Sequence, residues 1–149
     1  MGHNSMRGLA TALVALVFLP LSAGAEQFRQ FGDYDVHYNT INTSFLSAQV
    51  AREYNIRRSG HRAMLNIAVQ KRTDGRTTPV RADMSVTATN LNGQLRSVDM
   101  RAVDDAEAVY YIGELAIEDG EVLDFNVQVL PQGEARPLEL RFREQFFVR

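Results

Sequence analysis

Val80-Arg81-Ala82-Asp83-Met84-Ser85-Val86-Thr87-Ala88-Thr89-Asn90, continuing into Leu91-Asn92-Gly93, decides the fold. From Val80 to Ala88 every second residue is apolar, and Arg81, Asp83, Ser85, Thr87 and Thr89 alternate with them. Successive strand side chains point to opposite faces, so a period of two marks a strand with one face in a core and the other in water. Asn92-Gly93 supplies the positive φ angles of a tight hairpin. The chain reverses there and pairs antiparallel with the residues after Gly93.

The same alternation runs outward in both directions. A return strand over 94–102 carries Val98 and Met100. After the acidic turn Asp104-Asp105-Ala106-Glu107, residues 109–117 align Val109, Tyr111, Leu115 and Ile117. Glu118-Asp119-Gly120-Glu121 turns the chain into 122–130, where Leu123, Phe125, Val127 and Val129 alternate. Pro131-Gln132-Gly133 leads to a last strand over 138–148. Upstream, Tyr34, Val36 and Tyr38 share one face of 33–38, and Leu65, Ile67 and Val69 share one face of 63–71. Seven strands joined mostly by short polar turns predict an all-β, immunoglobulin-like antiparallel sandwich rather than a barrel. Leu46, Val50 and Tyr54 recur every four residues, which is helical spacing, and Ser47 is a suitable N-cap. This predicts one two-turn helix between the first two strands, closing one end of the sandwich.

The N-terminal residues have a different character. Arg7, an apolar run over 9–21 and Ser22-Ala23-Gly24-Ala25 form the pattern of a secretory signal peptide cleaved after Ala25. The run is too short, and interrupted by Pro20, for a spanning helix of roughly 20 residues. Met6-Arg7 also reads as a natural start, which sets residues 1–5 apart. Cleavage leaves residues 26–149, a single domain's length, with Lys+Arg falling from 16 to 15 against 18 Asp+Glu. A mildly acidic exported chain is a poor ligand for nucleic acid, whose affinity comes from phosphate neutralisation. There is no cysteine. That excludes a lipid anchor at the cleavage site, a disulfide framework, thiolate catalysis and thiolate metal sites, and it favours a bacterial periplasm.

The run His37-Tyr38-Asn39-Thr40-Ile41-Asn42-Thr43-Ser44-Phe45-Leu46, with Val50-Ala51 and Tyr54 after it, resembles a family of secreted proteobacterial proteins catalogued as domain of unknown function 4426. Arg57-Arg58-Ser59 leading into Leu65-Asn66-Ile67 belongs to the same resemblance, which covers the whole mature chain. It implies a periplasmic protein of about this length. It implies no activity, substrate or catalytic residue.

Few side-chain groupings carry chemistry. Asp33, Asp35 and His37 share one strand face and are the candidate divalent-metal ligands, although the outer pair stands about 13 Å apart. The alternative is the solvent face of an edge strand. His37 and His61 are the mature chain's histidines, and no nucleophile-elbow pattern surrounds any serine, so neither catalysis nor a cofactor is expected. Tyr38, Asn39, Asn42 and Ser44 offer donors and acceptors at a sandwich end, or else bond their own backbone in a turn. Residues 52–81 hold eight Lys and Arg against two acids, and residues 99–124 hold nine acids against Arg101. The two stretches either neutralise each other or leave a basic patch at Arg57, Arg58, His61 and Arg62. In the last strand Glu144 falls among the inward Leu138, Leu140, Phe142, Phe146 and Val148, predicting a bulge over 143–145 or an arginine partner. Phe147 faces the other way, and the strand is expected at a sheet edge.

The expected function is that of a periplasmic, non-catalytic module binding an unidentified periplasmic protein through Tyr38, Asn39, Asn42, Ser44, Arg57 and Arg58. The chain itself is expected to be a monomer or weak homodimer with no membrane span. The alternative is a small-ligand or metal-binding protein using the Asp33/Asp35/His37 face; a hydrolase stands third.

Overall fold

A computed structural model describes residues 27–149; the signal-peptide reading lies outside the described residues. The strands are β1 (Gln27–Phe31), β2 (Tyr34–Asn42), β3 (Arg62–Thr73), β4 (Arg76–Pro79), β5 (Ala82–Asn90), β6 (Leu95–Val98), β7 (Arg101–Asp105), β8 (Ala108–Ala116), β9 (Val122–Pro131) and β10 (Leu138–Gln145). A 3-10 turn (Thr43–Phe45) and one helix, α1 (Ala48–Glu53), lie between β2 and β3. A six-stranded antiparallel sheet runs β1-β2-β3-β8-β7, with β4 extending β3 beyond the end of β8. A four-stranded sheet runs β10-β9-β5-β6. Together they form an all-β sandwich.

Ten strands replace the expected seven, for local reasons. β1 and β4 are exposed along almost their whole length, so neither shows alternation. Their turns are nevertheless written in the sequence: Gly32 has φ +57° between β1 and β2, and Asp74 and Gly75 have φ of 50° and 76° between β3 and β4. The expected return strand over 94–102 is two strands. β6 pairs with β5 in the second sheet, and after Asp99-Met100 the chain crosses to pair β7 with β8 in the first.

That crossing explains a glycine inside β8. Gly113 is buried opposite Leu65, and a Cβ there would stand 2.5 Å from Met100 Sδ and 2.8 Å from Val98 Cγ1. The chain changes sheets directly over this bare backbone position.

The core lies between the sheets. Val36, Leu65, Ile67 and Val69 of the first sheet meet Leu123, Phe125, Val127, Val129 and Leu140 of the second. Phe125 stacks on Phe142 at 4.8 Å between ring centres, and Phe142 meets Tyr38 at 4.5 Å. The Tyr111 hydroxyl accepts the Ala82 N–H at 2.8 Å, stitching β8 to the other sheet.

The helix does not close the end of the sandwich. It covers the outer face of the first sheet, where Leu46, Ala51, Tyr54 and Ile56 pack on Met64 and Ile112, flanked by Ile41 and Val103. The reason is that the outward residues of β3 and β8 are apolar there too. Ser47 does cap the helix, its Oγ accepting the Val50 N–H at 3.1 Å.

β10 is an edge strand, as expected, but it carries no bulge: its register with β9 runs unbroken from Leu138↔Val129 to Gln145↔Val122. Arg143 pairs with Asp124 across the strands rather than with Glu144. Half-burial at the edge is tolerated without either device, and burial pushes the Glu144 carboxyl up. The open side of β10 is itself guarded, since Arg29 Nη1 donates to the Arg141 carbonyl at 3.1 Å.

Gly113→Ala is expected to destabilise the fold by about 1–3 kcal/mol, because the crossing must shift off β8; urea unfolding followed by circular dichroism measures it. Glu144→Gln gives a pH signature. A raised carboxyl favours the folded state while protonated, so wild type loses stability as pH rises through the shifted value. The variant should unfold at higher denaturant than wild type at pH 7, and the gap should close as pH falls below the ordinary glutamate value of about 4.3.

Candidate functional site

At the end of β2 the chain turns through Thr43, which is fully buried. Its hydroxyl fastens the long β2–β3 connection: Oγ1 donates to the Arg57 carbonyl at 2.8 Å and accepts the Ser59 N–H at 2.9 Å. The C-terminal residues cross the same end of the sandwich. Asn42 Nδ2 donates to the Phe147 carbonyl at 2.6 Å, and the Val148 N–H donates to Asp119 Oδ1 at 3.0 Å. Gly60 lies against the Arg149 carbonyl so closely that any Cβ would collide with it.

Three backbone segments are thereby held together, and what they present is cationic and aromatic. Phe45 is 54% exposed and Phe147 43%, and Arg57, Arg58 and Arg149 are all exposed. Arg58 Nη2 donates to the Ser44 carbonyl at 3.4 Å. The Arg149 guanidinium lies over the Phe147 ring, 5.6 Å from its centre. The oppositely charged stretches of the sequence do meet, but only in part: Arg62 pairs with Glu114 at 3.5 Å and Arg81 with Asp104. Arg57, Arg58 and Arg149 enter no ion pair among the described residues.

The residues singled out in sequence scatter over this frame. Arg57 and Arg58 are at the loop end and exposed. Asn42 is there but buried, its amide spent on the tail, and Ser44 is half-buried, with an Oγ shut from solvent and without a hydrogen-bond partner among the described residues. Tyr38 and Asn39 belong to β2 rather than to a loop; Tyr38 is buried against Phe142, and Asn39 lies opposite Asn66 on the outer sheet face. Phe45 and Arg149 are not singled out in the sequence, whereas Phe147 is, as a ring facing away from the core. Phe146-Phe147 holds the signal, because two consecutive rings in a period-two strand cannot both enter the core.

The Asp33/Asp35/His37 face is not the solvent face of an edge strand. β2 is an inner strand, since β1 pairs along its other side. Asp35 is buried and its Oδ1 accepts from Arg72 Nε at 3.1 Å, Asp33 sits exposed in the turn, and the His37 ring stacks under Phe28 at 5.4 Å. Among the described residues no three His, Cys, Asp or Glu side chains gather closely enough to hold a metal ion, and no helix is long and apolar enough to cross a membrane.

Residues 28–149 match the family described as Domain of unknown function (DUF4426). The chain belongs to that family. A solved DUF4426 protein from Pseudomonas aeruginosa PAO1 is 31% identical, with a TM-score of 0.72 over 83% of this chain and 96% of that one. FetP of uropathogenic Escherichia coli strain F11, expressed recombinantly in the periplasm of E. coli, aligns at 7% identity with a TM-score of 0.56, over 84% of this chain and 95% of its own. A copper-bound variant of FetP aligns at 7% and 0.57, over 85% and 97%. These distant likenesses extend this DUF4426 chain's comparison to the fold alone. No curated protein sequence matches.

Thr43→Val keeps the side-chain shape but leaves the Arg57 carbonyl and Ser59 N–H without their partner. It should cost about 1–3 kcal/mol in urea unfolding and speed tryptic cleavage after Arg57 and Arg58 in the native protein, with cleavage sites read by mass spectrometry.

Proposed function

We propose that this protein is an exported periplasmic module that binds a protein partner through its loop end and catalyses nothing. The observation that carries the reading is that the exposed Phe45, Arg57, Arg58, Phe147 and Arg149 all come from segments fastened together at this end of the sandwich, with Arg58 held by the Ser44 carbonyl and Arg149 over Phe147. Aromatic and arginine side chains are the types that anchor protein interfaces, because each contributes large contact area at small entropic cost or forks onto a partner's oxygens. Holding these side chains on segments that Thr43, Asn42 and Asp119 fasten lowers the ordering cost of binding.

The periplasmic setting is supported by the signal-peptide pattern of residues 1–25 and by the periplasmic expression of the FetP neighbour. The non-catalytic reading is supported by the placement of the histidines: His37 pairs with Ala68 while His61 precedes β3, about 20 Å along the strand at its usual rise. Metal binding at Asp33, Asp35 and His37 has behind it only the fold shared with copper-bound FetP, and Arg72 already occupies the Asp35 carboxylate.

In-cell photo-crosslinking tests the proposal. A photoreactive residue at Phe45 should yield a defined adduct with a periplasmic protein, whereas one at Ser85, on the outer face of β5, should not. Protein recovered from the periplasm should begin at Glu26. Equal labelling from both positions, or none from Phe45, rejects the loop end as the binding surface.

A further inference from the structure

Five exposed large apolar side chains stand out on the described surface; Phe147 lies under the Arg149 guanidinium, and Phe45 follows Ser44, whose carbonyl accepts from Arg58. The other three stand elsewhere: Leu91 and Leu95 belong to the hairpin joining β5 to β6, and Phe28 lies over His37. The charge around the first two is also uneven. Glu114 is drawn to Arg62 and to the Arg57 N–H, and Asp119 accepts the Val148 N–H, whereas Arg57, Arg58 and Arg149 enter no ion pair among the described residues.

We infer that the loop end takes an extended acidic segment of its partner, with carboxylates on Arg57, Arg58 and Arg149 and apolar side chains on Phe45 and Phe147. The inference rests on the partner-binding reading above and specifies the partner's chemistry. A guanidinium presents a planar fork of donors that matches a carboxylate, and two of the three are already oriented, one by the Ser44 carbonyl and one by the Phe147 ring. The two rings, each about half exposed, offer shallow apolar contact. Selection for a short segment comes from the rest of the molecule. Mature residues 26–149 carry more acids than bases, so a broad polyanion such as an anionic membrane or nucleic acid meets repulsion outside this end. A single strand of peptide stays within about one Debye length, roughly 8 Å, of the arginines and feels mainly their field.

The test uses the purified mature chain and two short synthetic peptides of equal length and apolar content, one with Asp and Glu, the other with Asn and Gln in their places. Fluorescence anisotropy should show binding of the acidic peptide at low salt, weaker binding at physiological salt, and none of the amide peptide. Arg57→Gln combined with Arg58→Gln should weaken binding about tenfold, the loss expected for two partly exposed charge pairs. Phe45→Ser should also weaken it, at both salt concentrations alike. Should the double variant fail to fold by circular dichroism, Arg149→Gln reports on the same surface from a different segment. Equal binding of both peptides, or no binding of either, overturns the inference, as does binding to phosphatidylglycerol vesicles in preference to the acidic peptide. An adduct at Phe45 in cells combined with peptide indifference overturns the acidic-segment inference and leaves partner binding standing; no adduct at Phe45 removes both.

Discussion

The middle of β3 is buried on both faces, from Ala63 through Ile67 without a break, and the rest of the molecule is arranged around that requirement. A sandwich core buries only one face of each sheet, so Leu65 and Ile67 are satisfied by the second sheet while Met64 still faces outward with Ile112 beside it. Covering that outer patch takes Leu46, Ala51, Tyr54 and Ile56, and so the whole connection from β2 to β3 must fold back over its own sheet. Folding back brings Arg57 and Ser59 to Thr43, where one hydroxyl closes the loop. The exposed arginines are therefore positioned by an apolar demand made on the far side of the chain they belong to.

This ordering explains what is legible in the sequence. Strands with one wet and one dry face announce themselves by alternation, and those from Ala82 to Asn90 and Val122 to Pro131 can be read almost to their ends. β1 and β4 lack a dry face, and only their turns betray them. The division of 94–102 into two strands is invisible to periodicity because Val98 and Met100 both point toward the interior while the backbone between them changes sheets. The helix is legible from Leu46, Val50 and Tyr54, but its location depends on Met64 and Ile112, which a period of two assigns to solvent. Without β1, β2 stands at an edge, where Asp35 and His37 look like free surface.

At the loop end the polar run Tyr38 to Ser44 is distinctive for a structural reason. Asn42 and Thr43 supply side-chain bonds that a backbone leaving a strand cannot make for itself, and Tyr38 belongs to the aromatic column with Phe142 and Phe125. Arginines at 57 and 58 are visible as charge. Their aromatic neighbours come from positions on either side of them in sequence, and only the fold assembles the two types. Family membership and the likeness to FetP describe the scaffold; the chemistry of the surface comes from these particular side chains.

The contact between Gly60 and the Arg149 carbonyl has a practical side for anyone handling the protein. An affinity tag or fluorescent fusion joined after Arg149 would emerge at the loop end, beside Gly60 and the Phe147 ring. Fusion ahead of Gln27 would instead leave from β1, at the margin of the first sheet. A reporter after Arg149 thus samples a molecule with its loop end obstructed, and one ahead of Gln27 a molecule with that end bare.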